Sequence, residues 1–206
     1  MQEIYFFVKG LIIGLSIAVP VGPIGILCIR RTLNHGRIIG FLSGLGAATA
    51  DAWYGAMAGF GLTFLSNFLI GQQIGLRLVG GGLLCIIGVR TFVSKPAKRG
   101  ASAEGISLWS AYLSTFFLTF TNPMTILFFA AVFAGLGVGS AGNHYISATI
   151  LVLGVFTGSA LWWLILSGFT GLLRGMFNAE RLQWLNRIAG SIIIGFGLVA
   201  FWSLLG

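Results

Sequence analysis

The chain has 206 residues, 57% of them hydrophobic and only 8% charged, with a mean hydropathy of +0.98. Soluble domains carry roughly 25% charged residues, so 12 Lys and Arg with 4 Asp and Glu are too few to solvate a 21.9 kDa globule. A soluble enzyme, a nucleic-acid binder and a disordered chain are excluded. The basic balance reads as membrane topology instead.

A helix crosses the hydrocarbon core with about 20 apolar residues, and six stretches qualify. They lie near Phe6–Ile29, Ile38–Leu65, Leu76–Val93, Leu108–Phe133, Ile146–Leu166 and Ile188–Leu205. These runs lack the period-two alternation of barrel strands. The expected fold is an all-α polytopic membrane protein, one transmembrane domain over residues 1–206. The first stretch follows Glu3 and has no A-x-A site after it, so it is kept as a span rather than a signal peptide.

Charge is distributed unevenly among the connections. The first holds Arg30, Arg31 and Arg37, the third Lys95, Lys98 and Arg99, the fifth Arg174, Arg181 and Arg187. The second (Ser66 to Gly75) and fourth (Ala134 to Tyr145) hold no Lys, Arg, Asp or Glu. Positive loops stay in the cytoplasm, which places both termini in the periplasm of a multi-pass bacterial inner-membrane protein. His35 and His144 read as loop residues, and Cys28 and Cys85 as small apolar core residues.

An internal repeat is visible. A shift of 110 superposes Gly44 on Gly154, Ala50 on Ala160, Trp53 on Trp163 and Arg77 on Arg187. A shift of 100 superposes Pro23-x-x-Ile26-Leu27 on Pro123-x-x-Ile126-Leu127. The repeats cover about residues 1–93 and 106–206, joined by a cytoplasmic linker at about 94–105. Three spans per repeat force the second copy to cross in the opposite sense, an inverted repeat of the kind many secondary transporters share. Two near-equivalent packings can then be exchanged between the halves, which argues for alternating access.

Prolines interrupt two spans. Pro20-Val21-Gly22-Pro23 lies late in the first, and Asn122-Pro123 lies in the middle of the fourth. Proline removes a donor and clashes with the preceding turn, so spans 1 and 4 are expected to break there. Helices restarting at Pro23 and Pro123 would present free N–H groups and a positive dipole end, suited to an anion.

Asp51 is the sharpest single feature, at the midpoint of the second span. A carboxylate at that depth costs about 2.5–3.5 kcal/mol on insertion scales, and no Lys, Arg or His lies at similar depth. It therefore is protonated or meets a mobile cation: a proton, a sodium ion or a substrate ammonium. Its repeat counterpart is Leu161. Thr49, Trp53 and Tyr54 nearby, with Ser159, Trp162 and Trp163 in the other half, could line a polar pocket.

These residues resemble the LysE/RhtB family of amino-acid exporters over almost the whole chain. The resemblance rests on the compact six-span length, Pro20-Val21-Gly22-Pro23-Ile24-Gly25, Gly44-Leu45-Gly46-Ala47-Ala48-Thr49-Ala50-Asp51, and Asn122-Pro123. Members usually show Pro-Gly-Pro at the first site, where Val21 here stands between Pro20 and Gly22. The resemblance implies export of amino acids or related small metabolites, driven by an ion gradient or the membrane potential. A zwitterion's carboxylate would meet the half-helix ends at Pro23 and Pro123, and its ammonium Asp51. The expected substrate- or ion-binding set is Asp51, Gly22, Pro23, Asn122, Pro123, Thr49, Trp53 and Ser159, with no catalytic residue, cofactor or resident metal. The lipid bilayer is the surrounding partner, and assembly into a homo-oligomer is left open.

Rival readings are a passive channel for a small solute and metal-cation efflux, the latter needing more ligands than one acid. A thiol-disulfide reductase would need reactive cysteines near the breaks. Intramembrane proteolysis would need a Ser/His pair or two acids at depth.

Overall fold

The computed structural model describes residues 2–20, 22–60, 71–94, 106–122, 125–126, 128–129, 145–176 and 178–202. Statements below concern these residues. They form seven α-helices with no strand among them: α1 (Gln2–Ala18), α2 (Pro23–His35), α3 (Arg37–Gly59), α4 (Gln73–Val93), α5 (Leu108–Phe120), α6 (Tyr145–Leu173) and α7 (Ala179–Trp202). A short 3₁₀ turn, Arg174–Met176, follows α6.

Local chemistry explains the helix ends. α1 stops two residues before Pro20, because a residue preceding proline avoids the helical region. α2 restarts with Pro23 in its first turn after extended Gly22, where the missing N–H of proline costs no helical bond. The chain then turns at Gly36, whose φ of 101° suits a residue without Cβ. Ser107 caps α5 by accepting from the Ser110 N–H at 3.1 Å, and Asn178 caps α7 by accepting from the Arg181 N–H at 2.8 Å.

Tyr145–Met176 and Glu180–Trp202 are each long and apolar enough to cross a membrane. α1 and α2 together pass the same test as a broken span bent by 80°. Leu78–Val93 and Leu108–Phe120 are apolar but shorter. α3 covers most of the second expected stretch; the remaining parts of the second, fourth and sixth stretches, the linker after Ser94 and His144 lie outside the described residues.

Packing is built from small residues inside and apolar residues outside. Leu153, Leu164, Ile165, Phe169 and Leu172 of α6 project outward, as do Ile188, Leu198 and Val199 of α7. Buried positions include Ser43, Thr115, Ser159, Ser167 and Asn186, the reverse of a soluble globule and the usual pattern in lipid. The most extensive pairings are α1 with α6, α3 with α5, α3 with α6, and α4 with α7. Exchanging α1 with α5, α3 with α6 and α4 with α7 maps this set onto itself.

α1 and α6 meet through glycines on both sides. A Cβ at Gly10 or Gly14 would overlap the carbonyl oxygen of Leu151 or Val155. A Cβ at Gly154 or Gly158 would overlap that of Phe7 or Leu11. These two Gly-x-x-x-Gly pairs let the backbones touch.

One expectation needs correcting. Arg30 and Arg31 are not solvated loop charges but belong to α2, only 8% and 5% exposed. Hydroxyls, amides and a backbone carbonyl from four helices satisfy them, as described below.

Candidate functional site

Asp51 sits on α3 and is 2% exposed. Ser159 of α6 donates its hydroxyl to Asp51 Oδ2 at 2.7 Å. Trp163, one turn further along α6, donates its indole N–H to Ser159 Oγ at 3.2 Å. Indole is a donor only, so the serine proton is directed to the carboxyl. The chain Trp163–Ser159–Asp51 links the two halves of the sequence. Among the described residues no Lys, Arg or His forms an ion pair with Asp51.

Both helix breaks reach this carboxyl. A cavity of about 60 Å³ is lined by Ala18, Pro20, Gly22, Pro23, Ile24 and Gly25 from the first break. Ile17 of α1, Ala47 and Asp51 of α3, Thr119, Asn122 and Thr125 of the second break, and Trp163 complete the lining. A single water needs about 10–15 Å³ of such space, so the cavity has room for a few water molecules or a compact solute.

The two breaks correspond in backbone detail. The Ile26 N–H bonds to Gly22 O at 3.1 Å, and the Ile126 N–H bonds to Asn122 O at 3.2 Å. Gly22 and Asn122 thus open the returning helical segments at positions 100 residues apart. Gly22 makes no side-chain cap, and a Cβ there would meet nothing within 4 Å, so the helix start opens onto the cavity rather than onto packed side chains. Its first-turn N–H groups have no helical partner. At the second break, Tyr54 donates its hydroxyl to Phe120 O, satisfying a carbonyl at the end of α5.

Of the residues expected from sequence, the cavity gathers Asp51, Gly22, Pro23 and Asn122, with Ser159 bonded directly to Asp51. Pro123 lies outside the described residues. Thr49 lies apart from the cavity on the α3–α5 seam, donating to Leu45 O and accepting from the Tyr112 hydroxyl, each at 2.8 Å. Trp53 is 53% exposed on the outside of the bundle. Trp163, 110 residues further along the chain, is turned inward.

Ala47, Thr119 and Thr125 were not anticipated. Two of them carried a usable signal. Ala47 precedes Asp51 by one helical turn, and Thr125 is the partner of Gly25 at the same shift of 100 that relates Pro23 to Pro123. No group of three or more His, Cys, Asp or Glu that could hold a metal occurs among the described residues.

Comparison with known proteins places this arrangement. The chain is 27% identical over 196 residues to the "Putative amino acid efflux protein YcgF" of Bacillus subtilis, covering 93% of this chain and 92% of that one. It is 27% identical over 181 residues to the uncharacterized membrane protein YahN of Escherichia coli, covering 82% and 77% respectively. The uncharacterized membrane protein YrhP of Bacillus subtilis is 24% identical over 186 residues, covering 84% and 87%. No solved structure matches. The sequence model for LysE type translocators matches residues 15–203. The chain belongs to the LysE type translocator family and is a multi-pass membrane transporter.

Proposed function

We propose that the protein exports amino acids or related small zwitterions from the cytoplasm by alternating access, coupled to a proton or sodium gradient or to the membrane potential. One observation carries the reading: a buried carboxyl without an ion-pair partner and two helix restarts line a single cavity. A zwitterion needs both. Its ammonium is a partner for Asp51, and its carboxylate suits the N–H groups and positive dipole end of α2. The amino-acid efflux relative adds support to this substrate class.

Two features support the six-span inverted repeat, an architecture suited to alternating access. The main helix pairings are unchanged when the halves are exchanged, and the helical segments restart at Gly22 and Asn122 with the same backbone bond. The site would then lie where the broken helices of the two halves meet, as in other secondary transporters. A side chain larger than a methyl group or so requires the cavity to widen, which the motion of the halves would provide.

Counterflow in reconstituted vesicles tests the proposal. Vesicles loaded with single amino acids in turn should release at least one of them faster than protein-free vesicles, with a rate that depends on the imposed ion gradient. Equal release of all solutes down their own gradients, indifferent to any ion gradient, would indicate a passive channel instead.

With Arg30 and Arg31 buried, Lys95, Lys98 and Arg99 of the third connection and the basic residues of the fifth support periplasmic termini in an inner membrane. A phosphatase reporter that functions only in the periplasm, fused after Gly206, is expected to be active. Activity of a cytoplasm-only reporter at that position would reverse the orientation.

A further inference from the structure

Two adjacent arginines in α2 are buried and reach in opposite directions. Arg30 donates to Asn186 Oδ1 of α7 at 3.0 Å and to Thr91 of α4 at 3.2 Å, and also to Ser94. It anchors α2 to the α4–α7 pair. Arg31 turns to the other side. Its Nη1 donates to Ser43 of α3 at 2.9 Å, and to the Ala111 carbonyl and Thr115 hydroxyl of α5 at 2.9 and 3.0 Å. Its Nη2 donates to Ser114 at 2.8 Å. Every acceptor is neutral, and Arg31 Nε has no hydrogen-bond partner among the described residues.

The position of this guanidinium gives it a further meaning. Residues four apart share a helix face, and on three helices the face that begins at the cavity ends at Arg31. On α3 the series is Asp51, Ala47, Ser43; on α5 it is Thr119, Thr115, Ala111; on α2 it runs from Ile24 through Cys28 to Arg31. Asp51, Ala47, Thr119 and Ile24 line the cavity, whereas Ser43, Thr115 and Ala111 hold Arg31. One helical turn, about 6 Å, separates the two sets on α3 and α5. The guanidinium therefore fills the seam between the cavity and the end of the bundle where α2 turns into α3.

Neutral partners make this closure exchangeable. A buried guanidinium among hydroxyls lacks the charge compensation of an ion pair. Hydrogen bonds from a guanidinium to a carboxylate are roughly twice as strong as neutral ones and can be bidentate. We infer that Arg31 is the gate of the passage between the Asp51 cavity and the α2–α3 end of the bundle, released when a solute carboxylate replaces its hydroxyl and carbonyl partners. The identity of the carboxylate rests on the export reading; the closure itself does not. Entering solute would meet Arg31 first and Asp51 second, so that a single step along the seam passes the carboxylate onward while the ammonium reaches its acid.

Cys28 supplies a native reporter, since it is 2% exposed and lies on α2 between Ile24 and Arg31. The Cys85→Ser protein in lipid nanodiscs, which leave both faces accessible, is treated with a charged, water-soluble maleimide. Labelling of Cys28 should be slow with Arg31 present and about tenfold faster or more in Arg31→Gln, as expected for a locally opened segment. The double variant Ser43→Ala, Thr115→Val keeps the arginine and should give an intermediate rate, which covers the case in which Arg31→Gln does not fold. Labelling of either folded variant at the parental rate overturns the gate. A mixture of free amino acids should speed labelling of the Arg31 protein, and the corresponding mixture of amino-acid amides should not. Acceleration by both mixtures, or by neither, overturns the carboxylate exchange. Labelling without solute requires no transport, so failure of the export reading appears in the counterflow assay and failure of the gate appears here.

Discussion

Asp51→Asn is expected to reduce coupled flux to the level of protein-free vesicles while leaving membrane insertion and monodispersity intact. The amide keeps the size of the carboxyl, and its oxygen still accepts from Ser159 at the position of Oδ2. A residue retained for packing would therefore survive the change. A residue that holds a proton or a substrate ammonium would not, because a neutral amide does neither. The pH dependence separates these two roles. If Asp51 exchanges the coupling proton, wild-type flux falls as pH is lowered on the loading side, since the carboxyl then stays occupied by the proton it must release there before substrate can load. If it meets only the ammonium, substrate binding is lost in Asp51→Asn and the pH on that side matters little. Flux by Asp51→Asn at the wild-type rate and pH dependence would reduce the carboxyl to a hydrogen-bonded packing group.

Gly154→Val is expected to lose folded protein, read as loss of a monodisperse peak and a lowered Tm. The added carbons meet the Phe7 carbonyl oxygen and the Leu11 N–H, backbone atoms that no rotamer change can move aside. Overpacking of side chains typically costs about 1–3 kcal/mol. Separating α1 from α6 along the Gly10, Gly14, Gly154 and Gly158 seam should cost more. Gly168→Ala on the same helix is the internal control. Its Cβ would meet nothing within 4 Å, and the gain in backbone rigidity favours alanine by about 0.5–1 kcal/mol. Equal stability of the two variants would mean that α1 and α6 do not pack as described.

What could be read without coordinates follows from how strongly a residue violates its surroundings. An acid inside an apolar run and a Gly-Pro or Asn-Pro interruption are visible in one dimension, which is why Asp51, Gly22, Pro23 and Asn122 could be singled out as the residues that prove to line the cavity. Which neighbours share the acid's face is a matter of angle. Thr49 and Trp53 stand two residues from Asp51, about 200° around the helix, whereas Ala47 stands four away and lines the cavity. Sequence proximity pointed to the side of α3 away from the cavity. The arginines fail for a different reason. Arg30 and Arg31 adjoin Asn34, His35 and Gly36, a polar stretch that reads as a connection. Their partners Thr91, Asn186, Ser43 and Thr115 are scattered over the chain, and no periodicity links them before the helices are packed.

Only Gly36 separates α2 from α3, and Arg174 braces the junction by donating to the Leu33 and Asn34 carbonyls at 3.0 and 3.1 Å. Mechanically, α2 is a lever hinged at one end. Its 13 residues span about 20 Å at 1.5 Å per residue. A swing of about 10° at the hinge would carry the free Gly22 end by about 3 Å, while the Arg31 region, near the fulcrum, would travel only about 1 Å. Small rearrangements at the hinge are thus magnified at the far end of the lever, which is the end that lines the Asp51 cavity.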